Sequence, residues 1–227
     1  MSEVLSQNEV DALLRGVGEG DVETESDQRE EVSGVVPYDL SSQEKIIRGR
    51  LPTLDIINQM FSRLFRNSLS TLLRKSADVS TVSTDTVKFG EFLKSLPVPS
   101  SLHVFRMEPL RGHGLVVVES KLVFSLVDTF FGGTGSSKLK IVGRDFSAIE
   151  IRMTKSVVVK ALEDFEKAWK PVHVVSVNYV RSEVNPQFAA IIPPTDVVLV
   201  ILFEVEMEGF SGTITVCIPY ATVEPIM

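Results

Sequence analysis

Apolar residues along this chain change spacing several times, and each change predicts an element. From Thr53 to about Leu73, Leu54, Ile57, Met60, Phe61, Leu64, Phe65, Leu69, Leu72 and Leu73 recur at helical spacing and form one broad face. Arg63, Arg66 and Arg74 fall on or near its polar side. Strand-like segments follow at Val79–Lys88, Leu102–Met107 and Gly114–Glu119, with a turn at Arg111-Gly112-His113-Gly114 between the last two. Lys121–Phe131 reads as a helix that stops at Gly132-Gly133-Thr134-Gly135.

The same order then returns. Ser147 and Glu150 have capping-box spacing, with Phe146 and Ile151 as a hydrophobic staple. The helix they open runs to about Trp169, with Ile149, Met153, Ala161, Leu162 and Phe165 inward. Strands are predicted at Val172–Arg181, Val197–Glu206 and Thr213–Ile218, the last two joined through Glu208-Gly209-Phe210-Ser211-Gly212. Residues 53–131 and 147–227 thus read as two copies of one unit: helix, strand, hairpin, helix. The expected fold class is α/β (α+β), a pseudo-twofold duplicated unit forming one continuous mixed sheet with two long helices side by side.

The N-terminal part differs in kind. Leu5-Ser6-Gln7-Asn8-Glu9-Val10-Asp11-Ala12-Leu13-Leu14 carries its own helix signals. Ser6 and Glu9 make a capping box, Leu5 and Val10 a staple, and Val10, Leu13, Leu14 and Val17 one apolar stripe. Residues 18–37 are acidic and poor in large apolar side chains, which predicts a disordered linker. Two readings of the short helix stay open. It folds in a partner's groove with Leu13 and Leu14 as anchors, or it packs back on its own domain. Expected domains are residues 1–17, a binding peptide; 18–37, the linker; and 38–227, the folded body.

Charge follows this division. Residues 1–40 hold eleven acids and two bases, whereas the remaining 187 residues hold 19 acids and 21 bases. A nearly neutral body argues against nucleic acid as a main partner, since phosphate binding needs a basic face. The longest apolar run, Val197–Phe203, is far short of the ~20 residues a membrane helix needs. No signal-peptide pattern opens the chain. These features predict a cytoplasmic protein with no direct membrane insertion. One cysteine, Cys217, permits no internal disulfide and falls in an apolar strand pattern.

Catalytic signals are weak. His103, His113 and His173 lack metal-ligand spacing. His103 and His173 fall in strand patterns and His113 in a turn. Glu163, Asp164 and Glu166 read as a solvated helix face, and Glu204, Glu206 and Glu208 alternate on one strand face. No Walker loop or nucleophile elbow occurs. The expectation is no catalytic residue, no cofactor and no metal. The Gly132–Gly135 run serves as a helix C-cap and turn, and its three glycines also suit an exposed loop that a partner backbone approaches, with Phe130 and Phe131 beside it.

On these residues the chain resembles the flagellar motor switch (FliM) family: the Leu5–Leu14 signature, the acidic linker, the duplicated body and the Gly-Gly-x-Gly loop occur in the same order. The resemblance implies that Leu5, Ser6, Gln7, Asn8, Glu9, Val10, Asp11, Ala12, Leu13 and Leu14 bind the phosphorylated chemotaxis response regulator CheY. It implies that Phe131, Gly132, Gly133, Thr134 and Gly135 contact the rotor protein FliG. It implies side-by-side self-association in the cytoplasmic ring of the bacterial flagellar basal body, at the face of the inner membrane, with the signal passed to FliG to set rotation direction. The family loop commonly has Pro where Thr134 stands, so this loop is expected to be softer. FliN binding is expected only through a C-terminal domain lying outside this sequence, which is therefore expected to be a fragment. The body also resembles CheC-type phosphatases of the same regulator, which use a Glu with Asn three residues later on each long helix. No Glu here has Asn at that spacing: Glu150 is followed by Met153, and Thr53–Leu73 contains no Glu. A non-enzymatic scaffold is the expectation, and the phosphatase is the alternative.

Overall fold

The structure is a computed structural model and describes residues 52–133 and 144–226. Helix α1 spans Pro52–Leu73, opened by a proline whose missing N–H costs nothing in the first turn. It is followed by β1 (Ala77–Lys88), a short α2 (Phe89–Ser95), β2 (Ser101–Glu108), β3 (His113–Val118) and α3 (Ser120–Phe130). The second half has α4 (Ala148–Trp169), β4 (Ser176–Glu183), a 3₁₀ turn at Pro186–Phe188, β5 (Val197–Met207), β6 (Phe210–Pro219) and a single turn α5 (Tyr220–Val223).

The six strands form one sheet in the order β1-β5-β6-β3-β2-β4. Reading inward from either edge gives the same sequence of equivalents, so a pseudo-twofold axis passes between β3 and β6. The expected mixed sheet is therefore corrected: all five pairings are antiparallel. Symmetry explains why. A twofold axis normal to a sheet makes the two central strands run in opposite directions, and each hairpin reverses direction again. The outer strands are exchanged: β1 of the first half pairs with β5 of the second, and β4 pairs with β2.

α1 and α4 pack beside each other on one face of the sheet. Their junction is aromatic. Phe61 stacks on Phe65 at 5.4 Å and meets Phe165 and Phe203 edge-on at 5.5 and 4.8 Å, and Phe165 meets Trp169 at 6.0 Å. Each pair adds about 0.5–1.5 kcal/mol to what burial of the rings already contributes. Polar groups under α1 are matched to β1: Asn58 Nδ2 donates to Thr84 Oγ1 at 3.3 Å, and Ser62 and Thr81 share a hydroxyl bond of 3.2 Å. The opposite face carries a smaller core of Phe89, Phe92, Leu102, Val104, Leu115, Val117, Val198 and Cys217. The buried Cys217 thiol has its pKa pushed up by desolvation.

Several local expectations are corrected. Ile149 is 59% exposed, because on a helix it lies about 100° from the inward Glu150. β4 begins at Ser176, since Val172 and His173 still donate to the Trp169 carbonyl at 2.9 Å as the chain unwinds from α4. His173 is therefore outside the strand. His113 belongs to β3, paired with Arg106. The β5–β6 connection is only Glu208-Gly209, with Gly209 at φ +79°, so β6 starts at Phe210. Asp164 is not solvated: it is 1% exposed and accepts from Lys167 Nζ at 2.9 Å. Glu166 accepts from the Val177 N–H at 2.8 Å and so ties α4 to β4. Only Glu163 fits a solvated face.

Candidate protein-contact loop

α3 is held at its start by the other half of the molecule. Glu119 Oε2 accepts from the Thr213 N–H and hydroxyl, both at 3.1 Å, while the Glu119 N–H donates to the Thr213 carbonyl at 3.1 Å. Leu122, Val123 and Leu126 bury the inner face of this helix. Its end is a Schellman turn. The Gly132 N–H donates to the Thr129 carbonyl at 3.0 Å and the Gly133 N–H to the Asp128 carbonyl at 2.8 Å. Gly132 has φ +85°, where a β-carbon is strained. At Gly133 a β-carbon would lie 2.2 Å from Asp128 Oδ2, so any larger residue there would have to turn the Asp128 carboxylate aside. Two glycines of the run thus have separate local reasons.

The turn leaves Phe131 71% exposed, while Phe130 packs on the main core. A single exposed aromatic is ordinary on a protein surface; this one stands beside a turn whose backbone is held by the two Schellman hydrogen bonds. The structure brings Phe131, Gly132 and Gly133 together. Thr134 and Gly135 lie outside the described residues, as do Leu5 to Leu14 and the linker.

Residues that sequence reading did not single out fasten the segment beyond the loop. Arg144 grips Glu150 with two bonds, 2.6 and 3.0 Å, and its guanidinium lies 4.9 Å over the Phe124 ring of α3. Glu150 is also the capping-box partner of Ser147. The hydrogen bond from Arg144, with further ones from Ser147, holds the Glu150 pKa down to about 2 against desolvation. An arginine three residues before a capping-box serine was the available signal, legible only with the fold in hand.

Nothing in this arrangement assembles an acid–base pair. Glu150 is locked by Arg144 and Ser147, Asn58 is bonded to Thr84, and His103 is fully buried with its ring bonded to Ser101. Among the described residues no cluster of His, Cys, Asp or Glu has metal-binding geometry, and no helix is long and apolar enough to cross a membrane. A groove of about 410 Å³ between α1 and β1 is open and lined mainly by Ser62, Arg63, Arg66, Ser80 and Thr81.

Fold and loop together define a duplicated α/β domain with an exposed, hydrogen-bonded turn at the end of α3. Residues 47–227 match the family model described as flagellar motor switch protein FliM. The chain belongs to the FliM family. It is 46% identical over 226 residues to FliM of Pseudomonas aeruginosa, covering all of this chain and 69% of that protein. It is 40% identical over 227 residues to FliM of Escherichia coli, covering 98% of this chain and 67% of that one. Among solved structures, the FliM middle domain of Vibrio alginolyticus superposes with a TM-score of 0.70 at 42% identity, covering 77% of this chain and 98% of that one. FliY of Thermotoga maritima shares the fold at 16% identity, with a TM-score of 0.67 over 79% of this chain and 96% of that one. The family model and the Pseudomonas and Escherichia relatives are named as motor switch proteins rather than enzymes, in line with the non-enzymatic expectation.

Proposed function

We propose that this chain is a switch scaffold of the flagellar rotor that receives the chemotaxis signal at one end and delivers it to FliG at the other. The observation that carries the reading is the rigid turn at Phe131-Gly132-Gly133, in a family with a solved FliG–FliM complex from Helicobacter pylori. Phe131 with Gly132, Gly133, Thr134 and Gly135 forms the FliG contact. Residues 1–17 capture the phosphorylated response regulator CheY through Leu5 to Leu14, residues 18–37 act as the tether, and residues 38–227 form the body. Tethering raises the regulator's local concentration near the ring without any new contact. Bodies stand side by side in the cytoplasmic ring at the inner membrane face. FliN is not assigned to any residue of this sequence.

The test separates the two ends. Leu13→Ala with Leu14→Ala should abolish capture of CheY carrying a phosphoryl mimic and leave FliG affinity within about twofold, since distant sites add independently. Loss of both bindings would refute the modular reading. Phosphate release from phosphorylated regulator faster than its own decay would refute the scaffold itself.

A further inference from the structure

Arg74 is the one non-glycine residue with positive φ among the described residues, at +53°. It sits just past the end of α1, where glycine is the usual choice because a β-carbon strains the left-handed turn. Residues held in such conformations persist when the surroundings over-determine them, and they concentrate at working surfaces. What this turn accomplishes is visible in the next residue. Lys75 is half-buried, and its Nζ donates to the carbonyl of Gly133, 58 positions along the chain.

Gly133 is thereby held on both sides. Its N–H is taken by the Asp128 carbonyl and its own carbonyl by Lys75. Both polar backbone groups of Gly133 are therefore engaged, and the turn that carries the exposed Phe131 is held from two elements. A charge-assisted bond to a carbonyl is also stronger than a neutral one. The Schellman turn fixes Gly133 only to α3. Lys75 fixes it to α1, the helix that packs on α4.

We propose that Lys75, aimed by the left-handed turn at Arg74, is a positioning residue for the contact loop: it clamps Gly133 to the end of α1 and so sets how Phe131 is presented to FliG. This inference rests on the loop being the FliG contact. It adds that the loop's orientation is coupled to α1, so a change at α1 is felt at Gly133 without passing through the sheet.

The experiment uses the full chain with Lys75→Met, Lys75→Arg and Arg74→Gly. FliG binding is measured by calorimetry, amide exchange over the segment ending at Gly133 by mass spectrometry, and stability by thermal melting. Lys75→Met should weaken FliG binding by about ten- to a hundredfold, the size of one charged hydrogen bond, and speed exchange at Gly133, with the melting temperature lower by only a few degrees. Lys75→Arg should restore both. Arg74→Gly relieves the strained turn and should raise the melting temperature while keeping binding. The proposal is overturned if Lys75→Met leaves binding and exchange within twofold of the parent. It is equally overturned if exchange rises while binding is unchanged, or if binding falls while exchange stays normal, since Lys75 then touches the partner rather than the loop. Failure of the parent protein to bind FliG would refute the functional reading instead, with exchange still deciding whether Lys75 holds Gly133.

Discussion

His103→Gln isolates one titration and tests the electrostatics of the core directly. His103 lies on β2, fully buried, with Nε2 2.9 Å from Ser101 Oγ and Nδ1 without a partner. Tyr179 stands 6.1 Å away ring to ring, and Lys155 of α4 places its ammonium 4.4 Å over that same tyrosine ring. Desolvation first and the Lys155 charge second push the histidine pKa down from 6.5 to about 4. In the unfolded chain the imidazole returns to its ordinary value, so between those values the unfolded state binds the proton and the folded state does not. Stability is therefore full above pH 6.5, falls as pH drops to about 4, and levels off below. Each pH unit in that window carries about 1.4 kcal/mol, so the loss is about 3 kcal/mol. Urea unfolding of the parent and of His103→Gln, at intervals from pH 7.5 to 4, gives two stability curves. Their difference removes the carboxylates common to both. Glu150, held at about 2, begins to lose its contribution near its ordinary value of 4.5, and being common to both chains it cancels in the difference. The parent should lose about 3 kcal/mol relative to the variant as pH falls across the window. A difference that stays constant from pH 7.5 to 4 would refute the reasoning, because it means that the buried ring is protonated as easily folded as unfolded.

Two further outcomes follow from close contacts. Gly114→Ala would place a β-carbon 2.2 Å from Cζ of Phe105, a ring with no exposed surface, so overpacking should destabilise the fold by at least about 2–3 kcal/mol in equilibrium urea unfolding. Arg144→Ala removes both bonds to Glu150, and the Glu150 pKa should rise from about 2 toward the usual carboxylate value near 4.5 in an NMR titration, with the Ser147 cap limiting the rise.

Local signals were legible where the physics is local. The α4 capping box at Ser147 and Glu150, the two long amphipathic helices and both hairpins were read from spacing alone, because caps, helical periodicity and turn glycines act over a few residues. The short α2 was not read, since seven residues with Gly90 inside carry too little periodic pattern to distinguish from a loop. At the end of α3, Gly132 was legible as a cap. The close approach at Gly133 was not, because it depends on the Asp128 carboxylate folding back against the turn.

By itself, then, the sequence determined the order and type of the longer elements, the repetition of one unit and the place where a glycine turn ends α3. Tertiary structure decided everything that joins residues distant in the chain. It set the exchange of β1 and β4 between halves, because an edge strand's hydrogen-bonding groups are alike along its length and only the packing of the helices selects the partner. It took Asp164 out of water, since the twist of α4 rather than residue type decides which acid faces inward. It also brought Lys75 to Gly133, across 58 positions, where the turn that ends α1 meets the turn that ends α3.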